Sequence, residues 1–152
     1  MIRHVDFVSA VLAERHPGDS AWAVISISDS DSSPTRLSPT FGRVLRLAFD
    51  DLDGEALANG GEGVVFTAAM AELVLQFLRG ANQAPNLEGV LVHCEAGRSR
   101  SAAIAIFIAG ALGAAFSHER RVDGWNELVL QQLERSAGLR VPRPSGMLTS
   151  TT

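Results

Sequence analysis

His93-Cys94-Glu95-Ala96-Gly97-Arg98-Ser99-Arg100-Ser101 lies between a short apolar run, Gly89 to His93, and a long one, Ala102 to Phe116. The first run reads as a buried strand and the second as a helix apolar on nearly all sides. The stretch between them is then a loop joining a strand end to a helix start. Such a loop turns its amides inward, and the helix N-terminus adds partial positive charge, so the segment makes an anion cradle. The chain's single cysteine, Cys94, stands at its entrance, six residues before Arg100. Amides and an arginine around a thiol favour its thiolate, the nucleophilic form. This is the pattern of a nucleophile directed at a phosphoryl group.

The rest of the chain limits what this loop can belong to. The 152 residues suffice for one core and are too few for two ordinary domains. We read residues 1–140 as one catalytic domain and 141–152 as a flexible tail rich in Pro, Ser and Thr. Nearly half the residues are apolar, which excludes global disorder. The net charge is -4, and all 13 basic residues are arginines. No basic stripe supports a nucleic-acid partner. One cysteine rules out an intramolecular disulfide and a multi-thiolate metal site, and an unpaired thiol kept for chemistry suits a reducing compartment. Met1 to Asp6 lacks the basic-then-apolar layout of a secretory signal, and the Ala102 to Phe116 run is too short to span a bilayer. A cytoplasmic protein without a membrane partner is expected.

Taken in order, Ile2 to Leu12 reads as a strand running into a short helix. Ala21 to Ile27 reads as a buried strand, and Ser28 to Pro39 as a polar loop. Val44 to Phe49 alternates as a strand and leads into Asp50-Asp51-Leu52-Asp53-Gly54. Glu55 to Gly63 reads as a glycine-rich loop and a candidate lid. Phe66, Met70, Leu73 and Phe77 recur at helical spacing between Val65 and Leu78, with Gly80 as the stop. A last amphipathic helix over Trp125 to Ser136 turns Leu128, Val129 and Leu133 inward. Alternating strands and helices predict an α/β fold: a short, largely parallel sheet of about four strands flanked by helices, with the signature loop between the last strand and the buried helix. In such folds ligands bind at the carboxyl ends of strands. The signature loop and the Asp50–Asp53 loop both fall there.

The stretch matches H-C-x-x-G-x-x-R-S and resembles the phosphate-binding loop of the cysteine-based protein tyrosine phosphatases, their compact dual-specificity branch in particular. The order of elements extends the resemblance over roughly Val44 to Phe116. It implies a phosphatase-like domain that hydrolyses phosphomonoesters through a phosphocysteine intermediate without metal or other cofactor. The implied substrate is a phosphorylated protein or a small phosphomonoester. By the same resemblance Cys94 is the nucleophile, and Arg100 holds two phosphoryl oxygens with its planar fork. Amides from Glu95, Ala96, Gly97, Arg98, Ser99 and Arg100 hold the oxygens. Ser101 stabilises the departing thiolate, and His93 organises the loop. Laying the family's pattern on Leu45, Leu47 and Phe49 places the general acid at Asp51, with Asp50 second and Asp53 third.

Plainer readings compete with these. A lone buried cysteine is usually an inert small hydrophobe, which explains neither Gly97 nor Arg100 at its spacing. A zinc pair of His93 and Cys94 conflicts with the opposite faces of adjacent strand residues. A nucleotide-binding loop needs a lysine that the chain lacks. The aspartates suit a solvated turn better than a calcium loop, since the glycine comes too early. Arg98 faces the mouth as a ligand for a second acidic group or as an exposed first-turn arginine. A pseudophosphatase that only binds phospho-ligands, and a rhodanese-like phosphatase or arsenate reductase, are the alternative functions.

Overall fold

The computed structural model describes residues 1–148. Its elements are β1 (His4–Ser9), α1 (Ala10–Arg15), β2 (Trp22–Ser28), β3 (Arg43–Ala48), α2 (Gly54–Ala58), α3 (Ala68–Gln83), β4 (Gly89–Cys94), α4 (Arg100–Leu112), β5 (Ala115–Phe116), β6 (Arg120–Arg121), α5 (Glu127–Ala137) and β7 (Met147–Leu148). The fold is α/β. The main sheet has five strands in the order β3-β2-β4-β1-β5, and every pairing in it is parallel. The expectation of about four strands falls short by the two-residue β5. The apolar run from Ala102 to Phe116 conceals it: Gly113, at φ +67°, ends α4 after Leu112, and the chain then pairs with β1.

Side-chain alternation along the parallel strands separates two faces. Val5, Phe7, Ala23, Ile25, Val90 and Val92 point to the face covered by α3, α4 and α5. α4 lies centrally, buried without interruption from Arg100 to Ile108. Full burial of a side chain such as Phe107 stabilises the fold by about 2–3 kcal/mol. Val24 and Leu91 point to the other face, where Phe41, Val8, Trp22 and Leu37 join them. α1 follows β1 on that side, with Leu12 beside Val8 and Leu91. The connections out of β1 and β4 thus leave toward opposite faces. Because Ser9 and Cys94 are in register, the crevice of this topological switch opens between those two residues.

Several boundaries differ from expectation for local reasons. α3 starts after Thr67, whose hydroxyl accepts the Met70 amide, and runs through Gly80 to Gln83. Its buried face is Ala71, Val74, Leu75, Leu78 and Ala81, while Leu73 is exposed, because small alanines share the face that large residues were expected to define. α5 likewise buries Val129, Leu130 and Leu133 and exposes Leu128. The glycine-rich segment 54–63 is not all loop: Asp53 caps α2 by accepting the Ala56 amide at 2.8 Å. No helix among the described residues is long and apolar enough to cross a membrane.

The segment from Val141, expected as a tail, returns onto α5. Val141 is buried, and its amide donates to Glu134 Oε2 at 2.8 Å. Arg143 donates to both oxygens of Glu134, at 2.8 and 2.7 Å, and to Glu127 at 2.7 Å. β7 then pairs antiparallel with β6. The end of the expected tail, residues 149–152, lies outside the described residues.

The Arg143 hydrogen bonds are the main cause that brings the Glu134 carboxyl from 4.5 down to about 2, with the Val141 amide adding to it. A depressed carboxyl contributes stability that is present above its unfolded value and lost as pH falls through the folded one. That window runs here from about 4.5 to about 2. Arg143→Ala leaves Glu134 buried without its cation and is expected to cost about 2 kcal/mol. A lowered urea midpoint at neutral pH checks this, together with loss of part of the wild-type acid sensitivity in that window.

Candidate active site

β4 is buried along its whole length and ends at Cys94. The Ala10 amide donates to Glu95 O at 3.2 Å, which holds the start of the loop against the end of β1. Gly97 adopts φ +69°, and a Cβ there would collide with the backbone of Val8 and Ser9. Only glycine meets both demands. The turn it makes brings its own amide back to donate to Cys94 Sγ at 3.3 Å. On the other side of the sulfur, Ser101 Oγ lies 3.1 Å away, in the first turn of α4. Cys94 is 1% exposed, so the thiol is buried within a polar contact set.

The N-terminus of α4 carries no side-chain cap: Ser99 occupies the capping position, yet its hydroxyl makes no capping hydrogen bond. It donates instead to Asp51 Oδ1 at 2.8 Å. The first amides of the helix are therefore left for another acceptor. Arg100, 4% exposed, uses one corner of its guanidinium for the protein. Its Nη1 donates to Phe49 O at 2.7 Å and lies 2.7 Å from Asp29 Oδ1 in an ion pair. Among the described residues, Arg100 Nε is the one buried side-chain polar atom without a hydrogen-bond partner. An orphaned guanidinium nitrogen on the first residue of a helix whose N-terminus has no side-chain cap forms a donor set suited to an anion.

The three acidic-loop residues, indistinguishable in type, separate in space. Asp50 accepts from the Ser30 hydroxyl at 2.6 Å, the Ser30 amide at 2.9 Å and the Val64 amide at 2.7 Å. These donors, the Ser30 hydroxyl foremost, bring its carboxyl from 3.8 down to about 2. Asp53 caps α2. Asp51 alone of the three touches the signature loop. Its Oδ1 accepts from Ser99 Oγ and from Asn126 Nδ2 at 2.9 Å, so the carboxyl is held from two sides.

His93 is fully buried on the opposite side of β4 from Cys94, with Nε2 2.6 Å from Ser26 Oγ. Burial pushes its pKa below the ordinary imidazole value. Its ring is thus a neutral structural strut tied to β2. Glu95, Ala96 and Arg98 are exposed on the outer loop, and Gly97 and Ser99 are half-buried. Arg98 lies over Gly124 and pairs with Asp123 at 3.3 Å.

The sequence reading missed three participants. Ser26 interrupts the otherwise apolar Trp22 to Ile27 run, an outlying polar residue that signals a buried partner. Asp29 follows the carboxyl end of β2, the edge where ligands bind, but its loop reads as solvated. Asn126 is legible as a helix cap, accepting the Val129 amide at 3.2 Å. Its further bonds to Asp51 and to Leu52 O, and from its amide to Ser99 O, are long-range and leave no local trace. In comparisons with known proteins, no family model, no curated protein and no solved structure matches the chain significantly.

Proposed function

We propose that the protein is a cysteine-dependent phosphomonoester hydrolase working through a phosphocysteine intermediate, as the protein tyrosine and dual-specificity phosphatases do. The observation that carries this reading is the convergence of three groups on one loop. They are the Cys94 sulfur facing the Gly97 amide, the Arg100 Nε left without a partner, and Asp51 fixed to Ser99. An inert structural cysteine explains none of them.

In the proposed reaction the Cys94 thiolate attacks phosphorus, forming the S–P bond as the ester P–O bond breaks. The leaving oxygen takes a proton from Asp51. The loop amides and the Arg100 fork bind the non-bridging oxygens, whose charge is spread in the transition state. In the second step Asp51, now a carboxylate, takes a proton from the attacking water, and the Ser101 hydroxyl donates to the sulfur as it leaves. Asp50 is unsuited to proton donation, because three donors hold it ionised. Asp53 is engaged at the start of α2. The substrate is a phosphorylated protein or a small phosphomonoester, and the reaction draws on the chain's own groups alone.

Hydrolysis of phenyl phosphate by the purified chain in the presence of a chelator tests the reading. Turnover is expected, with a phosphoryl group trapped on Cys94 when the reaction is quenched in acid. Absence of hydrolysis, or of the trapped species during hydrolysis, refutes it.

A further inference from the structure

We infer that Asp29 is a positioning residue for Arg100, holding one corner of the guanidinium so that the opposite edge is presented to the phosphoryl oxygens. The inference rests on the hydrolase reading above. Arg100 has a side chain 5% exposed; Nη1 forms an ion pair with Asp29 Oδ1 at 2.7 Å and donates a hydrogen bond to Phe49 O at 2.7 Å. Asp29 directly follows β2 and Phe49 directly follows β3, at the same carboxyl end of the sheet as Cys94. A hydrogen-bond acceptor and a carboxylate held at the same nitrogen restrict how a rigid fork can turn. The corner so held is not the one a bidentate ligand needs, because Nε remains unpartnered. The contact therefore orients the arginine without occupying it.

Asp29 is itself located by the neighbouring clamp. Ser30, the next residue, gives its amide and its hydroxyl to Asp50 at 2.9 and 2.6 Å. The turn is closed by the Ser32 amide on Asp29 O at 3.1 Å. The tandem Asp50-Asp51 thus divides its work: Asp51 reaches the signature loop directly, and Asp50 fixes the segment whose Asp29 reaches Arg100. Asp50 has a role in the site without proton transfer.

The test is a double-mutant cycle on kcat/KM for phenyl phosphate, using wild type, Asp29→Ala, Arg100→Ala and the double variant, with tungstate affinity measured for wild type and Asp29→Ala. Asp29→Ala is expected to weaken tungstate binding about tenfold, the scale of coupling between side chains in direct contact. In the Arg100→Ala background the same substitution costs little further, because its effect passes through the arginine. Asp29→Asn retains the acceptor oxygen, loses less, and supplies the comparison should Asp29→Ala unfold. Additive losses in the cycle overturn the inference, as does unchanged tungstate affinity. Tighter tungstate binding by Asp29→Ala also overturns it, since Asp29 would then compete with the anion. A wild type that neither binds tungstate nor hydrolyses the ester refutes the hydrolase reading itself.

Discussion

Cys94→Ser is expected to lower phosphomonoester hydrolysis by on the order of 10⁴-fold or more while the chain folds as before. The thiol is 1% exposed and contacts the Gly97 amide and the Ser101 hydroxyl. A serine hydroxyl in its place preserves a hydrogen-bonding group among the same partners, so the stability change stays within about 1 kcal/mol. What is lost is the nucleophile: an alcohol at that position ionises far less readily than a thiol and leaves far less readily in the second step. The oxyanion-binding groups remain, so Cys94→Ser is expected to bind phosphate or tungstate with an affinity near that of wild type. Loss of turnover with retained binding separates a nucleophile from a structural cysteine, whose removal would weaken both through the fold. A residual rate within about tenfold of wild type would remove Cys94 from the chemistry.

The architecture around that cysteine was accessible from the chain because it rests on local signals. Parallel strands buried on both faces read as continuous apolar runs, as in Trp22 to Ile25 and Gly89 to Val92. α4 has no polar face, which places it centrally. The unclear parts are those where a short-range signal was overridden or absent. β5 is two residues long and makes sense only through its pairing with β1. Leu73 on α3 and Leu128 on α5 are exposed although their spacing predicts them inward, because which stripe of a helix is buried depends on the neighbour it meets. Arg143 and Val141, read as part of a tail, are held by Glu127 and Glu134 on a helix that precedes them.

Within the site the division is similar. Cys94, Gly97, Arg100 and Ser101 belong to one contiguous motif, and the geometry joins three of them around the sulfur or its loop without distant residues. Arg100 is different in that its orientation is set from residues 51 and 71 positions upstream, Phe49 and Asp29. The acidic cluster is the extreme case. Asp50, Asp51 and Asp53 share residue type and surroundings in sequence, yet one is clamped by Ser30 and Val64, one meets Ser99 and Asn126, and one caps a helix. Only contacts made across the fold tell them apart.

Those contacts give the second large effect. Asp51→Asn is expected to reduce kcat by about 10²- to 10³-fold for phosphomonoesters with poor leaving groups, such as alkyl phosphates. The amide keeps an oxygen that can accept from Ser99 and Asn126, as Oδ1 does in wild type. The side chain therefore stays in place and loses only its acidic proton. For an aryl ester whose leaving group is stable as an anion, protonation matters less and the loss should shrink markedly. That leaving-group dependence is the signature of a missing general acid, and a disturbed loop would depress all substrates alike. Asp50→Asn should show no such dependence. Asp50 already lies at about 2 and carries no proton to give at an ordinary assay pH, so its substitution loosens Ser30 and Val64 and slows every ester by a similar factor. Should Asp50→Asn display the steeper leaving-group dependence, the acid belongs at Asp50. The two hydrogen bonds on Asp51 Oδ1 would then only fasten the acidic loop to α4 and α5.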